Sequence, residues 1–396
     1  MKILFLHMHY RTPYQGGAVR SWHITTQFQK RGINCEVITI HNKSSYEIHE
    51  IDDVKIHYLP VAYTNSFGFL KRVFAFWKFN VLAYHLIKKL SRPDLVYAIS
   101  TPLTIGTLAI KIKKTLNIPF VFEIGDLWPE APIQMGVLKS PVLINYFRKL
   151  EKRIYKDAIG LVSMSPAITD HVQSLGVKFN LVEIPNFADV EYYSEGRGHK
   201  NFNFFGKELF TLVSAGAVGK ANHLEFVVNA ARYMHENNKP VGFVIMGEGS
   251  EKERMEKLAQ GLPNIRFLKF APRPYVRDVL QSSDAVYLSY KDIQVLETGS
   301  PNRYFDALAT GKMVITNFGG WVADLNYAHN CGLKTNPNDP ADLWEKILPF
   351  IENKDLLIEK EGNALDLANK FTPVKKCEIL AEWLASTAHI PLEINV

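Results

Sequence analysis

The sequence is poor in several things, and each shortage excludes a class of protein. It has three cysteines in 396 residues, Cys35, Cys331 and Cys377. Odd in number and far apart, they make neither a disulfide framework nor a zinc-binding spacing, which fits a reducing cytoplasm. No apolar run approaches the ~18 residues needed to span a bilayer. MKILFLHMHY opens like a secretory signal, but its apolar stretch is short and no small-residue cleavage site follows, so it reads as a first strand. There is no low-complexity run, and 47% hydrophobic with 22% charged residues is the make-up of a soluble globular enzyme. Acid is missing locally. From Val54 to Phe122 the single carboxylate is Asp94, against Lys55, Lys71, Arg72, Lys78, Lys88, Lys89, Arg92, Lys111, Lys113 and Lys114. The net charge of +6 therefore includes a strongly basic stretch in the first half. No nucleic-acid recognition motif accompanies it.

What is present is alternation. KILFLHM, CEVITI, VKIHYLP, LVYAIS, PFVFEI, GLVSMS and LVEIP read as buried strands, separated by helical stretches that include Ala18–Arg31, Phe67–Leu90, Thr104–Leu116 and Pro141–Lys156. The stretch Phe187–Lys207 is polar, carries Gly196, Gly198 and Gly206, and has no periodicity. Beyond it the alternation restarts with LFTLVSAG, VGFVIMGEG, IRFLKF, AVYLSY and MVITNF. The chain is long enough for two domains, and this pattern predicts two α/β units, each a doubly wound, mostly parallel sheet covered on both faces. The expected division is residues 1–190, 205–370 and a C-terminal helix within 371–396. In such sheets ligands bind outside the carboxyl ends of the strands, which selects the loops to inspect.

The most informative stretch is Glu297–Ile315, ETGSPNRYFDALATGKMVI. Ser300 is a candidate N-cap, Pro301 suits the first helical position, and Gly311 is a stop signal, so a helix is predicted from about Asn302 to Thr310. A helix start after a strand points free N–H groups at the crevice, a geometry that suits a phosphate. Arg303 adds a cation there, and Glu297 and Asp306 are carboxylates suited to sugar hydroxyls. The plainer reading is an ordinary helix with Arg303 and Asp306 solvated.

Other loops carry similar signals. YRTPYQGGAVR has Gly16 and Gly17 before a helix start. EIGDLWPE places Glu123, Asp126 and Glu130 after a strand. GAVGKANHL brings Gly219, Lys220, Asn222 and His223 to the end of another. GEGS, from Gly247, is a further glycine turn, and Lys269–Arg273 follows the next strand. Each alone also reads as a surface turn.

Taken together and in order, these strings resemble family 4 glycosyltransferases, retaining enzymes of GT-B fold. SPNRYFDALATGK and DLWPE resemble the branch that builds bacterial surface polysaccharides. The family pattern is Glu, seven residues, Glu; Asp306 falls on the second Glu, the first falls on Thr298, and Glu297 is one place out of register. Many members carry a His where this chain has Gly125, which moves attention to Asp126. GKANHL departs from the family string at His223, where Gly is usual. The resemblance implies a first domain on the acceptor side, a second that binds a nucleotide-diphosphate sugar, UDP-linked, and a last helix returning to the first domain, with the ligand in the cleft between the two lobes. It implies Asp126, Lys220 and Arg303 in a catalytic role, and Gly16, Gly17, Gly219, Asn222, Gly247, Glu297, Ser300, Asn302 and Asp306 around the donor. No Asp-x-Asp pair in a strand-end loop demands a metal, and no other cofactor is implied. The expected activity is hexosyl or N-acetylhexosaminyl transfer to a lipid-linked saccharide. A nucleotide-sugar 2-epimerase and a non-catalytic nucleotide-sugar-binding subunit share the architecture.

Phe67–Leu90 mixes aromatics with lysines. Lys71, Lys78 and Lys89 share a face, while Phe69, Val73, Phe76 and Phe79 lean away from it. It reads either as a crossover helix packed on the sheet or as a basic amphipathic helix at an anionic membrane surface.

Overall fold

The structure is a computed structural model describing residues 1–64, 67–176, 178–206 and 208–388. Lys207, the last residue of the polar stretch, and the side chain of Phe69 lie outside the described set. The chain forms two compact units. The first comprises Met1–Thr12, Val19–Pro185 and the segment from Pro373; the second comprises Pro13–Ala18 and Asn186–Thr372. The division falls just ahead of the polar stretch, between Pro185 and Asn186.

In the first unit the strands are β1 (Lys2–Leu6), β2 (Asn34–His41), β3 (Glu47–Ile51), β4 (Val54–Pro60), β5 (Leu95–Ile99), β6 (Phe120–Ile124), β7 (Gly160–Ser163) and β8 (Leu181–Glu183). They form one sheet in the order β3-β4-β2-β1-β5-β6-β7-β8. Pairing is parallel except between β3 and β4, an antiparallel hairpin that the sequence pattern had not marked. Its turn is Asp52–Asp53, both at positive φ, 52° and 62°. The helices are α1 (Arg20–Gln29), α2 (Phe69–Ile87), α3 (Thr104–Leu116), α4 (Glu130–Gln134), α5 (Pro141–Asp157) and α6 (Pro166–Ser174). Central strands such as β5 (LVYAI) and β6 (FVFEI) are buried at every position, which is why they read as unbroken apolar runs.

The second unit begins with α7 (Val190–Ser194) and alternates β9 (Phe210–Ala215), α8 (Leu224–Glu236), β10 (Val241–Met246), α9 (Lys252–Leu258), β11 (Ile265–Leu268), α10 (Arg273–Gln281), β12 (Ala285–Leu288), α11 (Asn302–Thr310), β13 (Met313–Thr316), α12 (Trp321–Ala328), β14 (Gly332–Lys334), α13 (Pro340–Glu352) and α14 (Lys354–Ala368). The sheet order is β11-β10-β9-β12-β13-β14, with parallel pairing throughout. From β9 the chain winds out through β10 and β11, then returns to β12 on the other side of β9. The crevice of such a sheet opens at that reversal, above the carboxyl ends of β9 and β12. Apolar residues of α8 and α13 cover one face and those of α10, α11 and α14 the other. The last helix, α15 (Pro373–Ala388), belongs to the first unit. There Cys377 is buried, and Trp383 stands where a side chain on Gly160 would fall, with Cζ2 at 2.8 Å.

Candidate functional site

The loops at the reversal in the second unit are locked together by backbone contacts that admit no side chain. Gly216 N–H bonds Met246 O at 2.8 Å, and Val218 N–H bonds Glu248 O at 2.9 Å. A Cβ on Gly247 would sit 1.8 Å from Gly216 O, and one on Gly249 would sit 2.2 Å from Val218 O. Gly247 has φ 146°, a conformation that glycine adopts freely. These glycines thus set the approach of the β9 and β10 loops.

The β9 loop then makes a 3-10 turn, Lys220–Asn222. Asn222 is buried, and its Oδ1 accepts the Gly219 N–H at 3.2 Å, so its side chain shapes the turn. Lys220 is exposed at the start of that turn. His223 follows in the left-handed region at φ 45°. Its carbonyl accepts from Ser289 Oγ at 3.1 Å, while its buried Nδ1 has no partner among the described residues. Burial lowers its pKa. Lys291 N–H reaches Ala221 O at 2.9 Å, which ties the Lys220 turn to the loop after β12.

That loop leads to α11, which runs from Asn302 to Thr310 and ends at Gly311 with φ 74°, the limits read from the sequence. Its start differs in one respect. Pro301 is the N-cap, and Ser300 is buried and makes no cap bond. Ser300 Oγ accepts the Asn186 N–H at 3.1 Å, and the Asn186 side-chain amide donates to Ser300 O. The hydroxyl is therefore committed to the protein. Asn302 is half-buried as the first helical residue, with no side-chain bond among those described.

Arg303 lies across the reversal. Its guanidinium carbon is 4.5 Å from the Tyr290 ring centroid, and Nη2 donates to Ser289 O at 3.2 Å. Its Cδ is 3.7 Å from where a Cβ on Gly216 would be, an ordinary van der Waals approach, so the arginine runs alongside this glycine. Tyr290 is fixed in turn: its N–H donates to Asn317 Oδ1 at 2.8 Å, and Asn317 Nδ2 donates to Ser289 Oγ at 3.2 Å and Tyr290 O at 3.1 Å. Sequence reading missed Ser289, Tyr290 and Asn317 as supports; AVYLSY and TNF read only as strand ends. The structure thus ties the loop bearing Lys220 to the loop after β12 that leads into α11, whose first turn carries Arg303 and the N–H groups of a helix start.

The two carboxylates are each bonded within the protein. Glu297 accepts the Gly319 N–H at 2.6 Å, just past β13. Its side chain packs closely on Gly319, where a Cβ would meet Oε1 at 3.0 Å. Asp306 faces α7 and α10, bonded by the Tyr193 hydroxyl and near Arg273. Burial outweighs both partners and pushes its pKa up to about 6. Arg273 also bonds Asp189 at 2.8 Å and stacks on Tyr192 at 4.1 Å. Asp306 is thus one member of an internal charged and aromatic network.

In the first unit the loop after β6 carries Asp126, exposed, with Oδ2 accepting from Thr101 Oγ1 at 3.3 Å. Its neighbours Glu123 and Glu130 are committed. Glu123 is fully buried and forms a bidentate pair with Arg20, at 3.0 Å on each oxygen. Tyr97 OH donates to Glu123 at 2.6 Å, and Arg20 also donates to Pro185 O and Ile184 O, so every charge is matched. Glu130 pairs with Arg148 at 2.9 Å. After β1, burial and nearby positive charge hold His7 at about 3 and His9 at about 4, so both are neutral. Gly16 and Gly17 take φ 69° and 86° in the segment grouped with the second unit. Among the described residues no group of His, Cys, Asp or Glu is placed to hold a metal ion.

Comparison with known proteins decides the class. Residues 14–192 match the model described as Glycosyltransferase Family 4, and residues 210–353 match Glycosyl transferases group 1. The chain is a two-domain glycosyltransferase of GT-B type. No curated protein matches it significantly by sequence. Solved structures match along nearly its whole length. Sucrose-phosphate synthase from Thermosynechococcus elongatus is 14% identical, with TM-score 0.78 over 98% of this chain and 100% of that one. Anabaena HepE, solved with UDP-glucose, is 18% identical, with TM-score 0.70 over 98% and 100%. WaaG, a glycosyltransferase of lipopolysaccharide biosynthesis, is 15% identical, with TM-score 0.66 over 96% and 98%. At these identities the likeness concerns this glycosyltransferase's fold.

Proposed function

We propose that this glycosyltransferase moves a hexosyl or N-acetylhexosaminyl group, with retention, from a UDP-linked sugar to a lipid-linked saccharide during surface polysaccharide synthesis at the cytoplasmic face of a membrane. The observation that carries the donor reading is Arg303, held over Tyr290 where the sheet reverses, beside the α11 N–H groups and the turn bearing Lys220. Charge builds on the leaving diphosphate as the sugar C1–O bond breaks. Fixed cations and N–H dipoles stabilise it there without reorganising. The acceptor oxygen forms the new bond to C1 on the face the diphosphate leaves, and a diphosphate oxygen takes the acceptor's proton. No separate base is then required. Asp126 stands exposed to orient the sugar or acceptor in place of the family histidine.

UDP is favoured because solved relatives of this fold were crystallised with UDP and UDP-sugars. The lipid-linked acceptor is favoured by the basic first half and by the WaaG likeness. Incubation with radiolabelled UDP-sugars tests the assignment. Label should pass to a lipid-linked saccharide fraction, and nucleotide release should depend on that acceptor. Formation of a C2 epimer with no acceptor present would instead make it an epimerase.

A further inference from the structure

Helix α2 has more apolar surface than its packing uses. Ala75, Phe79, Ala83 and Ile87 recur at every fourth residue and are buried. On the other side Leu70, Val73, Phe74 and Trp77 stand at i, i+3, i+4 and i+7, with exposures of 80, 46, 61 and 59%. The sequence pattern places Val73 on the side away from the lysines, and the structure leaves it exposed there. A continuous apolar stripe left in water on an otherwise well-packed helix marks an interaction surface.

Two further observations say what kind. Lys71 and Lys78 line, together with Leu70 and Phe74, a cavity of about 340 Å³ at the foot of the stripe. The surrounding stretch, Val54 to Phe122, carries no acid except Asp94. A second apolar patch, Val142, Leu143 and Tyr146, opens α5 with exposures of 78, 47 and 58%. Because α2 follows β4 and α5 leads into β7, the first turns of both helices lie toward the carboxyl ends of the strands, and both helices pack on α3. A second copy of this chain would set like-charged faces against each other. An anionic bilayer offers both complements, an apolar layer for the stripe and phosphates for the ammonium groups.

We propose that the exposed face of α2, with the first turns of α5, docks on an anionic phospholipid surface. Leu70, Phe74 and Trp77 enter the boundary between headgroups and acyl chains, and Lys71 and Lys78 meet lipid phosphates. The proposal builds on the membrane-side acceptor of the previous reading, but its test involves no sugar transfer. The full chain is sedimented with phosphatidylcholine vesicles and with vesicles containing phosphatidylglycerol, at low and high salt. Binding should require phosphatidylglycerol and weaken as salt screens the lysines. F74S/W77S should lower vesicle affinity roughly tenfold or more, and K71A/K78A should erase the preference for phosphatidylglycerol. Both variants should keep the parent melting temperature and UDP binding, since the altered side chains are on the surface. Absence of vesicle binding, or equal binding by parent and variants, would overturn the proposal. So would a lipid-free oligomer that F74S/W77S dissociates, because the stripe would then be a protein interface.

Discussion

Arg303 does what a lysine in its place would not. Its planar group stacks on Tyr290 and donates to Ser289 O, leaving the remaining N–H groups for a ligand. R303A should therefore lower kcat by roughly 10²- to 10³-fold, the usual effect of removing one donor to developing charge. R303K should recover little, and both should melt near the parent temperature. Gly247 makes the opposite prediction. A Cβ there would lie 1.8 Å from a backbone oxygen, so G247A should cost ~2 kcal/mol or more in urea unfolding. Gly136, also at positive φ but with open space around it, is the control, and G136A should cost only ~1 kcal/mol. Asp306 predicts a pH effect. Its pKa rises from 3.8 to about 6 on folding, so the folded chain binds this proton more tightly than the unfolded chain. The contribution is fully present below pH 3.8 and is lost as pH rises through about 6. The difference in melting temperature between parent and D306N should shift against the parent from pH 4.5 to 7, and a constant difference would contradict the burial argument.

At the scale of elements, α11 was the most legible piece. The apolar spacing, the proline before it and Gly311 marked its limits, because breakers and stops are local chemistry, although the cap is Pro301 and not Ser300. The destination of Ser300 was not legible. Its partner Asn186 is 114 residues away, and no local rule connects them. The same holds for Glu123. Nothing local separates Glu123 from Asp126 and Glu130 in EIGDLWPE, because the bidentate partner of Glu123 is Arg20, 103 residues earlier. Breaking that buried pair with R20A should cost ~3–5 kcal/mol, measured by urea denaturation. The β3–β4 hairpin went unread because β3, EIHEI, is a largely exposed edge strand with little apolar signal. Its Asp-Asp turn at positive φ was the available clue. Helix α2 was read as helical correctly, but periodicity alone did not tell its buried face from its exposed one, since both are apolar.

Across the whole molecule, the alternation of apolar runs with helical stretches is what made two parallel-sheet units readable. Parallel strands are buried on both faces, and their crossovers must be helices. Strand order was not readable, because a parallel neighbour is chosen by packing far along the chain. That order places the reversal between β9 and β12, and with it Arg303 and the Lys220 turn. The central claim is that this reversal grips a diphosphate. Calorimetric titration with UDP, GDP and ADP, on the parent and on R303A and K220A, tests it most directly. The account predicts that the parent binds at least one of them, UDP foremost, and that each variant binds it at least about tenfold more weakly, a loss of ~1.4 kcal/mol. Equal affinity in parent and variants, or no binding of any diphosphate by the parent, would contradict it.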